Sequence, residues 1–129
     1  MRGIAKAYLV YIVDDDDAVR DSLAALLELE GFLTELYPSV DEFLSNVDSE
    51  YVWNNSPACL LLDLHMPGRS GLDLLDFIVQ SRWSLPVVVA TGNANDRIRS
   101  RALSGGATAF LEKPVEADKL IAAIKTAIL

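Results

Sequence analysis

Five short apolar runs alternate along this chain with stretches whose apolar residues recur every three or four positions. Alternation of a strand period with a helical period constrains the fold more than any other feature. It calls for a parallel sheet joined by helical, right-handed crossovers. Tyr8 to Val13 opens the series, continuous and β-branched, as a strand buried on both faces should be. From Asp17 the period changes: Val19, Leu23, Leu26 and Leu27 share one helical face, and Gly31 ends the helix. Phe32 to Tyr37 is a weaker, alternating strand, expected near a sheet edge. Ser39 caps a short helix carrying Val40, Phe43 and Leu44. Residues 46–57 read as a polar loop with a turn signal from Asn54 to Pro57. Ala58 to Leu62 is a second central strand, followed by a turn-rich loop from Met66 to Gly71. The next helix is expected to face inward through Leu72, Leu75, Ile78 and Val79. Leu85 to Ala90 is another buried strand. Asn95 to Ser104 is a polar helix stopped by Gly105 and Gly106. Ala107 to Leu111 is the fifth strand, and Val115 to Leu129 a final amphipathic helix.

The chain has 129 residues, which suits one domain over 1–129 with a single core. Its net charge of −8 argues against direct nucleic-acid binding, which needs a basic surface. Cys59 is the sole cysteine, so no internal disulfide can form, and its place in a central strand makes it a small core hydrophobe. No apolar run reaches the ~20 residues of a membrane span, and the N-terminus is too short and polar for a signal peptide. The expectation is a soluble, cytoplasmic protein without membrane attachment. Trp53 and Trp83 are read as packing residues.

In an open α/β sheet, ligands gather at the carboxyl ends of the strands. The first strand delivers Asp14 and Asp15, the third Asp63, the fourth Thr91 and the fifth Lys113. The second delivers only Pro38 and Ser39. Four aspartates in a row, Asp14 to Asp17, should repel one another. A hard divalent cation such as Mg2+, which takes carboxylate oxygens, is one reason for such a run; helix capping is another. Asp16 and Asp17 suit capping and solvent. The collected carboxylates, hydroxyl and amine fit phosphoryl transfer, with one carboxylate as nucleophile.

These strand ends also carry a family pattern. Asp63-Leu-His-Met-Pro-Gly-Arg-Ser-Gly71 resembles the phosphoacceptor loop of bacterial two-component response-regulator receiver domains. Ile12 to Asp17 is similar to their acidic pair, Ala90-Thr91-Gly92 to their switch hydroxyl, and Phe110-Leu-Glu-Lys113-Pro114 to their strand-five motif. The local wording also resembles receivers of nitrogen-fixation and LuxR-type regulators. The resemblance runs from Tyr8 to the C-terminus. It implies a doubly wound, five-stranded sheet in the order 2-1-3-4-5 with five helices.

The resemblance also implies roles. Asp63 would accept a phosphoryl group from a histidine kinase or a histidine phosphotransfer protein. Asp15 would be the main ligand of Mg2+ (or Mn2+), with Asp14 beside it acting through bound water and His65 offering its backbone carbonyl. Thr91 and Lys113 would bond phosphoryl oxygens, and Phe110 would be the switch aromatic. The Lys113–Pro114 bond is expected to be cis. His65 and Asn93, each two residues past a site residue, are candidates for tuning the phosphoryl lifetime. Val115 departs from the Phe common after the Lys-Pro pair. Arg97, Arg99 and Arg101 could supply ion pairs across a phosphorylation-dependent homodimer built on helix four, strand five and helix five. The expected activity is signalling, not turnover of an outside substrate. Rival readings are a Mg2+-dependent phosphohydrolase with an aspartate nucleophile, and a pseudo-receiver that works without phosphorylation. A single-domain regulator and the receiver of a longer one fit equally.

Overall fold

The computed structural model describes residues 8–47, 57–68 and 70–128. Trp53 and the Asn54–Ser56 turn lie outside them. The elements run β1 (Leu9–Val13), α1 (Asp17–Leu29), β2 (Leu33–Tyr37), α2 (Val40–Asn46) and β3 (Ala58–Leu62). Then follow α3 (Gly71–Gln80), β4 (Val87–Thr91), α4 (Asp96–Ser104), β5 (Ala109–Glu112) and α5 (Ala117–Ile128). All strand pairs are parallel, in the order β2-β1-β3-β4-β5. This is the architecture the alternation required.

The central strands bury both faces, so their side chains sort by parity. Tyr11, Val13, Leu60, Leu62, Val87 and Val89 pack with Phe43 of α2, Leu74, Leu75 and Ile78 of α3, and Ala102 of α4. Val10, Ile12, Cys59, Leu61, Val88 and Ala90 pack with Leu23 and Leu27 of α1 and Leu120 and Ile124 of α5. Cys59 has no exposed surface, and burial pushes its thiol up to about 12. Trp83 packs edge-on against Phe77 and against the core, a packing role as expected.

Some boundaries and faces differ from the sequence reading. In α3 the inner face is Leu74, Leu75 and Ile78, while Val79 is 49% exposed. The helix is rotated because Gly71 at its start must lie against the Asp63–Leu64 backbone. Strand β5 begins at Ala109: Ala107 N–H turns back to Ala102 O at 3.0 Å to close the turn after α4, and Thr108 N–H makes the first bond to β4, on Val87 O at 2.8 Å. Strand β4 reaches Thr91, one residue further than the apolar run, because pairing with β5 continues to Glu112. The edge position expected for β2 is observed, with Leu33 and Leu36 exposed.

Candidate functional site

Sheet register brings the strand ends together. Val13 lies opposite both Tyr37 and Leu62, so Asp14 and Asp63 leave the sheet side by side. Their backbones remain tied to it. Asp14 N–H donates to Tyr37 O at 3.1 Å, Asp63 N–H to Val13 O at 3.0 Å, and Lys113 N–H to Thr91 O at 2.9 Å. Asp14, Asp63 and Thr91 are the buried polar residues among those described. Buried polar groups need partners, and these supply one another. Thr91 Oγ1 donates to Asp63 Oδ1 at 2.9 Å. Lys113 Nζ donates to Asp14 Oδ2 at 2.6 Å and lies 3.4 Å from Asp63 Oδ2. His65 N–H donates to Asp63 Oδ1 at 3.2 Å, while its side chain is exposed.

Carboxylate oxygens of Asp14, Asp15 and Asp63 all lie within 4.8 Å of one another. Asp15 is exposed and opens this cluster to water. Three carboxylates face a single ammonium, so the site holds a surplus of negative charge. Burial lowers the affinity of Lys113 for its proton, but the Asp14 bond and the charges of Asp63 and Asp14 outweigh it, leaving its pKa above the usual lysine value of 10.5. Hard oxygen donors, charge surplus and an open solvent side together fit a divalent cation of the Mg2+ class.

The acidic run divides as its spacing suggested. Asp16 is the N-cap of α1, its side chain accepting from Val19 N–H at 3.0 Å, and Asp17 is an exposed first-turn residue. Asp16 N–H also donates to Asp14 Oδ1 at 2.9 Å, so the capping turn orients the inner carboxylate. Gly71 is needed for a different reason. A Cβ there would stand 2.2 Å from Asp63 O and 2.8 Å from Leu64 Cα. Ser70 then starts α3 with a reciprocal capping box to Asp73.

Lys113–Pro114 is cis, as expected. Asn93 is exposed with φ +49°, in the left-handed region. The ring of Phe110 is 8% exposed, with the Arg99 guanidinium 5.6 Å from its centroid. Arg101 pairs with Asp76 of α3 at 3.0 Å. The three arginines of α4 therefore do not act as one face: Arg101 turns to α3, Arg99 covers Phe110, and Arg97 is exposed. The residue the sequence reading passed over is Arg20, which donates to the Asp14 carbonyl oxygen at 2.7 Å and pairs with Asp17. Its spacing of three residues from Asp17 was the available signal.

Comparison with known proteins follows the same lines. The family model of the response regulator receiver domain matches residues 10–125. The transcriptional regulatory protein FixJ of Bradyrhizobium diazoefficiens is 36% identical over 119 residues, covering 92% of this chain and 56% of that protein. The response regulator protein TodT of Pseudomonas putida is 31% identical over 123 residues, covering 95% of this chain and 52% of its own length. This chain thus spans about half the length of these relatives. Among solved structures, the crystal structure of FixJ-N superposes with a TM-score of 0.82 at 34% identity, covering 95% of this chain and 94% of that one. The response regulator StyR gives 0.83 at 33% identity, covering 95% and 60%. No helix among the described residues is long and apolar enough to cross a membrane.

Proposed function

Since the chain belongs to the response-regulator receiver family of two-component signalling, we propose that it accepts a phosphoryl group on Asp63 and switches conformation in response. The observation that carries this reading is the convergence on Asp63 of Thr91 Oγ1 at 2.9 Å and Lys113 Nζ at 3.4 Å, beside two further carboxylates. The donor is the phosphohistidine of a histidine kinase or a phosphotransfer protein. An Asp63 oxygen forms the new O–P bond as the N–P bond of the donor breaks, and the histidine nitrogen leaves with its electron pair.

Asp15, Asp14, Asp63 and the His65 carbonyl would hold Mg2+ (or Mn2+), which when bound neutralises charge developing on the phosphoryl oxygens. The protein's own groups do the rest. Lys113 keeps the two buried carboxylates from repelling each other and bonds a phosphoryl oxygen. Thr91 follows with its hydroxyl. Its strand end is joined to the Lys113 backbone, and Lys113 directly follows β5, which carries Phe110, so movement at Thr91 reaches the surface between α4 and β5. A charge event thereby biases a bistable element. His65 and Asn93, both exposed near the site, suit the tuning of phosphoryl lifetime. The α4–β5–α5 face is the proposed dimer surface, with Arg97, Arg99 and Arg101 all exposed on α4.

Incubation with acetyl phosphate and Mg2+ tests the proposal. The expected result is a mass gain of one phosphoryl group, absent in Asp63→Asn and in the presence of a chelator. No gain in the wild type would favour a pseudo-receiver. Repeated turnover of small phosphoesters would favour a hydrolase.

A further inference from the structure

Arg20 lies in the second turn of α1 with its side chain only 13% exposed. The proposed phosphoryl chemistry does not use it. Even so, it is the cation that the acidic run receives from its own helix, one guanidinium nitrogen on the Asp14 carbonyl and the other on the Asp17 carboxylate. The Asp14 carbonyl stands where the chain has left the sheet and α1 has not yet begun, so no backbone N–H of either element is positioned to satisfy it. Asp14 is otherwise fixed through its N–H to Tyr37 O, through Oδ1 to Asp16 N–H and through Oδ2 to Lys113. Arg20 supplies the fourth tie. Without it, four successive carboxylates repel along a loop with a free carbonyl, and the loop can open away from Asp63.

We propose that Arg20 is a positioning residue for the divalent cation: it clamps the acidic loop so that the carboxylates of Asp14 and Asp15 stay within reach of Asp63. The inference rests on reading that cluster as the metal site. Electrostatics alone would give the opposite sign. A guanidinium near a cation repels it, so a neutral residue at position 20 would bind metal more tightly if charge were the whole effect. The clamp also needs a planar fork that spans two acceptors, which a lysine ammonium on a flexible stem does not provide.

The test titrates Mn2+ into the full chain, followed by water-proton relaxation, with Mg2+ measured by displacement. Loss of a group that orients a metal ligand typically weakens binding by about tenfold or more. That loss is expected for both Arg20→Met and Arg20→Lys, with folding checked by circular dichroism and thermal melting; if Arg20→Met does not fold, Arg20→Lys carries the test. Wild-type affinity or better in a folded Arg20→Met, or full affinity in Arg20→Lys, overturns the clamp. Failure of the underlying metal reading looks different: the wild type itself would not bind, or Asp15→Asn and Asp63→Asn would bind as well as it does.

Discussion

In the proposed function, Thr91 and Gly71 divide the work between signalling and shape. Thr91 is fully buried and its hydroxyl has a partner on Asp63. Thr91→Ala is expected to retain phosphorylation, since the nucleophile and Lys113 remain, while losing the phosphorylation-dependent change in assembly. Size-exclusion chromatography with and without acetyl phosphate checks this, and a full change in the variant would remove Thr91 from the coupling. Gly71 has no chemical role. A methyl there would meet backbone atoms at 2.2 and 2.8 Å, which cannot rotate aside as a side chain would. Overpacking of this kind costs typically ~1–3 kcal/mol, so Gly71→Ala should lower the unfolding free energy read from urea titration by an amount in that range and perturb Asp63, whose carbonyl is the atom struck. The sequence made Asp63, Thr91 and Lys113 legible because each follows an apolar run. Arg20 was hidden because its function is a bond to a carbonyl, and a carbonyl leaves no mark in the residue pattern.

Helices α1 to α4 each start on a side-chain cap. Asp16, Ser39, Ser70 and Asn95 each accept from the backbone N–H three residues on. Ser70 N–H also donates back to Asp73 Oδ2 at 3.3 Å, completing the box. Ser70→Ala is expected to cost about 1 kcal/mol, read from chemical denaturation, and to loosen the loop between Asp63 and α3. Equal stability of variant and wild type would mean that packing alone starts that helix. Element types followed from periodicity and caps, but faces and ends were less secure. Val79 fitted an apolar face by spacing, yet α3 buries Leu74 instead because the close approach at Gly71 fixes its rotation. Strand β5 starts late because Ala107, at the start of the apolar run, is used to close the turn after α4. Both shifts come from tertiary contact, which a local pattern does not contain.

At the scale of the whole molecule, Lys113 and Tyr37 join the buried Cys59 thiol among the groups whose contribution to stability is lost at alkaline pH. Lys113 holds its proton more tightly in the fold than in the open chain, since its carboxylate partners outweigh its burial. Tyr37 moves the same way, through burial and then its bond to Glu35, which both favour the neutral phenol. A group whose pKa is raised by folding contributes fully below its ordinary value and progressively loses that contribution above it. The ordinary values are 10.0 for the tyrosine and 10.5 for the lysine. Urea midpoints should therefore show no loss from these groups near neutrality, an onset above the ordinary thiol value of 9.0 and a steepening fall above about pH 10. Tyr37→Phe should make that fall shallower, and an unchanged slope would remove Tyr37 from the account.

Lys113 and Asp14 are separated by 99 positions in the chain. While the protein is being synthesised, the acceptor aspartate leaves the ribosome well before the ammonium that completes its surroundings. A chain truncated before the fifth strand would carry every acidic residue of the site and still lack the cation that lets them sit together. Neutralisation of the two buried carboxylates thus waits on the residue that follows the last strand.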